Sequence, residues 1–268
     1  MNIDWSIARV MVHTARAVYM DPHDFLLWGL GNGCDGVDII PRRSTQIGIT
    51  YSPTRIIIAA RGSSQWGDWG ENLLALLWRY RSLFPVGRMH LGFQIQTRRI
   101  LDEFLKTIRV LRKKFPNAEV YVTGHSLGGA LCIPILRILD LENVAVAGVY
   151  TFSSPRLVDS RLATWYDALY GEKTFRVVAI RRGVADMATR LPPSLFGWSH
   201  VGRPIMVRDG HPYESASQWE TARAKHPVEP MPWYRVATRI GVGVGAHFLN
   251  ALCDEVDAIA VTNGGAPQ

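Results

Sequence analysis

The most constraining feature of the sequence is a serine enclosed by glycines between two apolar runs. Residues 120–131 read VYVTGHSLGGAL: a β-branched segment, then Gly124, Ser126 and Gly128, then an apolar, alanine-containing segment. This order fits a strand that turns sharply into a helix, and G-x-S-x-G is the pattern that holds a serine on such a turn. The pattern predicts either a structural bend or an exposed nucleophile at Ser126, and the strand-to-helix context favours the nucleophile.

Hydrophobic periodicity predicts alternating strands and helices along the rest of the chain. Pro134 is expected to kink the helix that follows the serine. The predicted helices cover residues 7–19, 93–114, 127–139 and 246–260. The predicted strands cover residues 45–52, 55–62, 118–124, 144–154, 174–180 and 203–208. A glycine-rich turn is predicted over residues 29–36.

This alternation predicts an α/β fold with a mostly parallel central sheet and helices on both of its faces. No repeat, charge block or long linker divides the sequence. We therefore expect a single domain over residues 1–262, followed by a disordered tail over residues 263–268. Catalytic groups on such sheets lie beyond the carboxyl ends of the strands, and this is where Ser126 is predicted.

Composition indicates a globular chain with a basic surface. The 268 residues include 30 Lys and Arg against 23 Asp and Glu, a net charge of +7. A solvated basic surface explains this charge, and so does attraction to an anionic lipid surface. No nucleic-acid-binding module is recognisable, so we expect no nucleic-acid partner. The dispersed residues Cys34, Cys132 and Cys253 predict reduced thiols rather than disulfides.

The sequence shows no signal peptide and no run of apolar residues long enough to span a membrane. A cytoplasmic location is the default expectation, and secretion stays open if a leader was removed. The cysteines also lack the spacing of metal ligands, so no metal is expected.

A serine nucleophile needs a base, and the base needs a carboxylate to orient it. In folds with this turn the order along the chain is serine, acid, histidine. Asp186 follows a predicted strand and is the first candidate for the orienting acid, and Asp159 is the competing candidate. His247 opens the last predicted helix, and on order alone its rivals are His200, His211 and His226.

The oxyanion of an acyl-transfer intermediate needs backbone donors. The first amides of the helix after Ser126 supply one side, and a loop after an earlier strand supplies the other. Ser63 follows Gly62 at the end of a predicted strand and is the candidate donor in that loop. Trp66 and Trp69 come next among glycines, which suggests a movable flap, although tryptophans packed on the core are an alternative.

With these parts in place, the chain resembles the class 3 lipases, the fungal-type triacylglycerol lipases of the α/β-hydrolase superfamily. The segments that carry the resemblance are IIIAARGSSQWGDWGENL, RMHLGF, VTGHSLGGAL, TFSSPRLVD, DMATRLPPSLFGWSHVG and AHFLNAL. Ser153 in TFSSPRLVD stands where the family usually has glycine. The dispersed cysteines do not reproduce the disulfides of the secreted fungal members.

The resemblance implies roles for individual residues. Ser126 corresponds to the nucleophile, Asp186 to the orienting acid and His247 to the base, which demotes Asp159 and His200. Ser63 and Leu127 correspond to the oxyanion donors. Residues 64–70 correspond to the lid, and we expect Trp66, Trp69 and His125 to contribute to the lid and the substrate-binding surface.

The function that follows is hydrolysis of carboxylic esters, most simply acylglycerols at a lipid–water interface, through an acyl-enzyme and without a cofactor. Phospholipids, short-chain esters, feruloyl-type esters and acyl transfer to an alcohol remain alternatives within the same chemistry. A binding or signalling protein that keeps the fold without catalysis is the alternative from another class.

Overall fold

The fold is described from a computed structural model of the chain. It is described for residues 2–41, 46–62, 77–78, 83–181, 184–214, 218 and 244–263. The predicted oxyanion donor Ser63 and the predicted flap residues Trp66 and Trp69 lie outside these ranges, as do His226 and residues 264–268 of the predicted tail. Asn263, the first residue of that tail, still donates its backbone N–H to the carbonyl of Ile259.

A mixed sheet of nine strands forms the centre of the described chain. Five central strands, from residues 55–60, 119–125, 146–152, 174–181 and 203–208, run parallel to one another, and antiparallel strands flank them on both sides. The predicted mostly parallel sheet is thus confirmed. In spatial order the strands are β1 (Gly36–Pro41), β2 (Gln46–Tyr51), β3 (Arg55–Ala60), β6 (Glu119–His125), β7 (Val146–Phe152), β9 (Thr174–Arg181), β12 (Arg203–Arg208) and β13 (His211–Tyr213), with β10 (Val184–Ala185) paired to β9.

A smaller sheet of short strands lies beside the main one. Its strands, in spatial order, are β11 (Trp198–Ser199), β8 (Val158–Asp159), β5 (Met89–His90) and β4 (Leu77–Trp78). Three 3-10 turns cover residues Gly171–Lys173, Met187–Arg190 and Ser194–Phe196.

Helices cover both faces of the main sheet, as predicted. They are α1 (Trp5–Ala17), α2 (Pro22–Gly31), α3 (Leu91–Lys114), α4 (Leu127–Leu141), α5 (Ser160–Tyr170) and α6 (Val244–Thr262). Apolar residues of α3, α4 and α5 share one core with the sheet, and those of α1 and α6 share another. The spacing in α3 shows why: Ile100, Phe104, Ile108 and Leu111 are three or four residues apart and all are buried.

Helix α2 overlaps the predicted glycine-rich turn, so that prediction was wrong for residues 29–31. Asp21 caps α2 by accepting hydrogen bonds from the backbone N–H groups of His23 and Asp24, and Pro22 occupies the first helical position. Gly29 serves packing within the helix, because a Cβ there would lie 2.6 Å from the side chain of Val37. Strand β1 begins at Gly36, where the turn was predicted to end.

Helix α5 was missed in the sequence although it carries a recognisable signal. Asp159 accepts a hydrogen bond from the backbone N–H of Leu162 at 2.9 Å and so caps the helix. Leu162, Ala163, Tyr166 and Tyr170 are buried at helical spacing. Helix α4 continues through Pro134 and ends at Leu141.

All three cysteines are free thiols, as expected from their spacing. Cys132 and Cys253 are buried, and Cys34 is partly exposed. No helix in the described ranges has both the length and the uncharged apolar run needed to cross a bilayer.

Two substitutions in α3 test the assignment of its buried face. Ile108 is 2% exposed and Val110 is 60% exposed. Replacing Ile108 by alanine should lower the free energy of unfolding by about 2–5 kcal/mol, because it leaves a cavity in the core. Val110→Ala should change it by less than about 0.5 kcal/mol. Denaturant titration of both variants measures the difference, and equal costs would contradict this orientation of the helix.

Candidate active site

The backbone at Ser126 has a conformation that L-residues rarely adopt. Ser126 joins β6 to α4 with φ 57° and ψ −126°. Its backbone N–H donates to the carbonyl of Phe152 at 2.8 Å, which fixes the turn to the neighbouring strand β7. Its side chain makes no capping hydrogen bond to α4. Strain held in place by surrounding structure is typical of functional positions.

Glycines on either side of Ser126 allow this turn, as predicted. A Cβ on Gly124 would overlap the backbone of Gly128, and a Cβ on Gly128 would overlap the carbonyl oxygen of Ala60. A Cβ on Gly129 would lie 2.9 Å from the side chain of Ser154. The first turn of α4 therefore lies directly against the end of β3.

Backbone donors for an oxyanion are available at this junction. Leu127 is the first residue of α4, so its N–H has no acceptor within the helix. The positive end of the helix dipole also lies here. On the other side, Gly62 follows the end of β3. It packs against the strand-to-helix turn at residues 124–128, called the elbow below: a Cβ added to Gly62 would lie 3.0 Å from the carbonyl oxygen of His125. Ser63 follows Gly62 in the sequence but is not described.

Asp186 reaches the same edge of the sheet by a fold-back of the chain. Strand β10 pairs antiparallel with β9, and the backbone N–H of Asp186 then donates to the carbonyl of Ala179 at 3.3 Å. Ala179 lies two residues beyond Val177, which is level with Phe152 and thus with His125. Only β7 lies between β6, which leads into Ser126, and β9, to which Asp186 is hydrogen-bonded; two strand spacings are about 10 Å.

The Asp186 carboxyl is buried, with 4% of the residue exposed. Its Oδ1 accepts a hydrogen bond from the backbone N–H of Ala188 at 3.0 Å. Burial raises the pKa of Asp186, and the Ala188 N–H and the Ser153 hydroxyl oppose that rise. The Ser153 oxygen nevertheless has no hydrogen bond of normal geometry within the described chain.

Ser153 explains why glycine is usual at its position in the resembling family. Its φ is 50°, in the left-handed region that favours glycine. Its backbone N–H donates to the carbonyl of Val177 at 2.9 Å, and the residue is fully buried. The departure from the family pattern therefore adds backbone strain next to the strand that carries Asp186.

The rival residues Asp159 and His200 have structural partners. Asp159 caps α5 and pairs with the Arg88 guanidinium at 3.2 Å. A ring nitrogen of His200, Nε2, lies 2.8 Å from the carbonyl oxygen of Thr189. Burial, and then the nearby Arg176, lower the pKa of His200 to about 3. His211 lies in the edge strand β13 and is exposed.

His247 lies in the first turn of α6, and its side chain is not described. The direction of α6 follows from its contacts with α1. Arg9 and His13, early in α1, each contact Asp257 at 2.9 Å. Burial raises the pKa of Cys253 to about 11, and Arg16, near the end of α1, lowers it, so Arg16 lies beside Cys253. The two helices are therefore antiparallel, and the first turn of α6 extends towards the end of α1 that adjoins the elbow.

His125 is an interior residue rather than a surface one, with 2% of it exposed. Its Nδ1 lies 3.3 Å from the hydroxyl of Tyr19, which follows α1. Burial lowers the pKa of His125 to about 3, so its ring is neutral. The sequence did not point to Tyr19; an aromatic residue at the end of an amphipathic helix carries no signal beyond packing. No cluster of three or more His, Cys, Asp or Glu side chains suited to a metal occurs among the residues described.

The sequence model of the lipase (class 3) family matches residues 57–196, just over half of the chain. The chain belongs to the class 3 lipase family. The match includes the elbow and Asp186, whereas His247 lies beyond it. The lipase of Rhizomucor miehei is 30% identical over 188 residues, which are 67% of this chain and 50% of that protein.

A secreted mono- and diacylglycerol lipase of Malassezia globosa is 24% identical over 213 residues, 77% of this chain and 66% of that protein. The chain thus spans between half and two thirds of the length of these relatives. Among solved structures, a triacylglycerol lipase whose catalytic centre is a serine protease triad has a TM-score of 0.64 at 23% identity, over 76% of this chain and 80% of that one. At that identity the likeness shows the fold, an α/β hydrolase.

The burial of Asp186 leads to a prediction about stability and pH. Because its pKa is raised in the folded state, the folded state holds the proton more tightly than the unfolded state. Stability is therefore lost as pH rises through the folded pKa, where the charge becomes buried. Asp186→Asn should raise the melting temperature at pH 8, and this gain should shrink as the pH falls towards 4.

Asp159→Asn is the matched control. Its carboxylate pairs with Arg88 and caps α5, so its loss should leave the melting temperature at pH 8 unchanged or lower. Melting curves from pH 4 to pH 8 compare the two variants with the unaltered chain. A lower melting temperature of Asp186→Asn at pH 8 would contradict the buried-charge argument.

Proposed function

We propose that this lipase-family chain is a serine hydrolase that cleaves carboxylic esters, with acylglycerols as its substrate class. The observation that carries the proposal is the conformation of Ser126, which has φ 57° on a strand-to-helix turn. The glycines on either side of it occupy positions where an added Cβ would overlap neighbouring backbone. A serine held in this way has a hydroxyl that makes no capping bond to its own helix, as a nucleophile on such a turn requires. The residue is buried rather than exposed, with 4% of it accessible, so substrate has to enter the site to reach it.

In the proposed mechanism the Ser126 hydroxyl attacks the acyl carbonyl while His247 takes its proton. The tetrahedral oxyanion accepts hydrogen bonds from the N–H groups of Leu127 and Ser63, each worth about 3 kcal/mol. The His247 imidazolium then protonates the departing alcohol, which leaves an ester on Ser126. Water attacks this acyl-enzyme with His247 as base, and the acid departs as the serine regains its proton.

The proposed role of Asp186 is to orient the base. Two features of the described chain support it. Asp186 is hydrogen-bonded to β9, and only β7 lies between β9 and the strand that leads into Ser126. Helix α6, which carries His247, runs antiparallel to α1, so its first turn points towards the end of α1 that adjoins Ser126. A carboxylate buried beside an imidazole holds its tautomer and stabilises the imidazolium.

The choice of acylglycerols rests on the relatives and on the composition. The relatives from Malassezia globosa are mono- and diacylglycerol lipases. A net charge of +7 favours approach to an anionic lipid surface. The flap proposed around Trp66 and Trp69 would place two large apolar side chains at that surface.

Labelling with a fluorophosphonate probe tests the nucleophile. Ser126→Ala should lose the label completely and lower kcat on p-nitrophenyl butyrate by at least about 10³-fold, because the acyl-enzyme cannot form. Ser154→Ala is the matched control, since Ser154 is also buried and lies against the same helix turn; it should retain the label.

Double variants test the triad as a unit. Adding His247→Ala to Ser126→Ala should lower kcat no further, because residues that act together have non-additive effects. Equal labelling of Ser126→Ala and the unaltered chain would overturn the nucleophile. A full additional loss from His247→Ala would remove that residue from the proposed relay.

An assay across the solubility limit of tributyrin tests the substrate class. The rate should rise steeply once droplets form, since the flap would open at the interface. Trp66→Ser should weaken that rise while leaving hydrolysis of soluble p-nitrophenyl acetate within about twofold, because a small dissolved ester reacts without an interface to open the flap. Leu141→Ser is the control: Leu141 is a half-exposed apolar residue at the far end of α4. A flat rate across the limit would favour a short-chain esterase.

A further inference from the structure

The hydroxyl of Tyr19 lies between the two segments that border the candidate oxyanion hole. It accepts a hydrogen bond from the backbone N–H of Gly62 at 3.1 Å. It also lies 3.3 Å from Nδ1 of His125. Gly62 precedes Ser63, and His125 precedes Ser126. One phenol oxygen therefore contacts the neighbour of a proposed donor and the neighbour of the proposed nucleophile.

The protonation states give this bridge a direction. Burial raises the pKa of Tyr19 to about 12, and the Gly62 N–H and then Arg61 lower it, so the hydroxyl keeps its proton. His125 is neutral because burial lowers its pKa to about 3. The Tyr19 oxygen accepts from Gly62, so its own hydrogen is available to His125 Nδ1. The bonds then run from Gly62 N–H to Tyr19 and from the Tyr19 O–H to His125.

Gly62 needs such a restraint. It has no Cβ, so its backbone dihedrals are the least restricted in the segment that leads to Ser63. Gly62 also packs closely here, because an added Cβ would lie 2.5 Å from the Tyr19 oxygen and 3.0 Å from the His125 carbonyl oxygen. The hydrogen bond to Tyr19 thus limits rotation at the glycine on which the direction of the next peptide N–H depends.

A second set of bonds ties the same segment to the end of α1. The backbone N–H of Arg61 donates to the carbonyl of Gln46 at 2.8 Å, and its guanidinium donates to the Gln46 side chain at 2.9 Å. The Gln46 amide in turn donates to the carbonyl of Val18 at 3.1 Å. Residues 18 and 19 therefore hold residues 61 and 62 from two sides, and Tyr19 adds the only one of these links that also reaches His125.

We propose that Tyr19 is a positioning residue: it holds Gly62, which precedes the proposed donor Ser63 in the sequence, against the turn at Ser126, and it does not touch the substrate. This inference rests on the proposed function. Removing the hydroxyl frees Gly62, so a donor that follows it in the chain loses its alignment with the oxyanion in the transition state while substrate binding is kept.

Tyr19→Phe is the variant that tests this inference, with p-nitrophenyl butyrate as the substrate. We expect kcat to fall about 10- to 100-fold, since small misplacements of catalytic groups have effects of that size, and KM to change less than about twofold. Binding of a trifluoromethyl ketone, which forms a tetrahedral adduct on the serine, should weaken by a similar factor.

Tyr166→Phe is the matched control. Tyr166 is fully buried, and its hydroxyl lies 3.2 Å from the Thr174 hydroxyl, away from the elbow. It should lower the melting temperature at least as much as Tyr19→Phe yet keep kcat within about twofold. A loss of kcat that tracks the melting temperature in both variants would reduce Tyr19 to a stabilising role and overturn the inference.

A second variant keeps the test decisive if Tyr19→Phe does not fold. His125→Leu removes the acceptor of the Tyr19 proton and leaves the Gly62 bond, so kcat should fall by a smaller factor with KM held. Unchanged kcat in whichever variant folds overturns the positioning role, while an unaltered chain that hydrolyses no ester and takes no fluorophosphonate label overturns the proposed function instead.

Discussion

The contact between the first turn of α4 and the end of β3 is the constraint on which the site depends. Gly128 lies so close to the carbonyl of Ala60 that no side chain fits between them. That approach brings the helix N-terminus, the strained Ser126 and the loop after β3 to one point at the carboxyl edge of the sheet. The strain at Ser126 persists because the parallel pairing of β3, β6 and β7 and the bond from Ser126 to Phe152 over-determine the turn.

Around this point the chain accepts features that oppose stability. Asp186 is a carboxyl in a buried position, and its charge is disfavoured there. Ser153 has a left-handed backbone and a buried hydroxyl without a hydrogen bond among the described residues. The backbone N–H groups of both residues donate to β9, at Ala179 and Val177, whereas the two cores on the faces of the sheet are apolar. The distribution is that of a stable framework that carries a locally unfavourable site.

The sequence predicted the parts of this arrangement that have a local signal. The strand-to-helix turn at Ser126, the amphipathic stripe of α3 and the inward face of α6 at Leu249, Leu252 and Val256 follow from spacing alone. Helix α2 was obscured because Gly29 serves packing against Val37 rather than a turn. Helix α5 was missed because an aspartate that follows a strand is equally compatible with a catalytic acid and with a helix cap, and Asp159 was interpreted as the former.

What spacing could not supply is convergence in three dimensions. Asp186 reaches the edge because β10 folds back on β9, and a strand of only two residues gives no recognisable pattern in the sequence. Tyr19 acquires partners 43 and 106 residues away, at Gly62 and His125. Only resemblance separated His247 from the other histidines, and its side chain lies outside the described residues, so its role stays a prediction.

The pairing of α1 with α6 has a consequence for how the chain matures. Arg9 and Asp257 are 248 residues apart in the sequence, yet they bond at 2.9 Å. As the protein emerges from the ribosome, the part of α1 that contacts α6 stays uncovered until residues 244–262 have been made. The helix that bears His247 is also the one that completes this core. The proposed base is therefore added in the same late step as the last part of the core, and a partly synthesised chain has Ser126 without it.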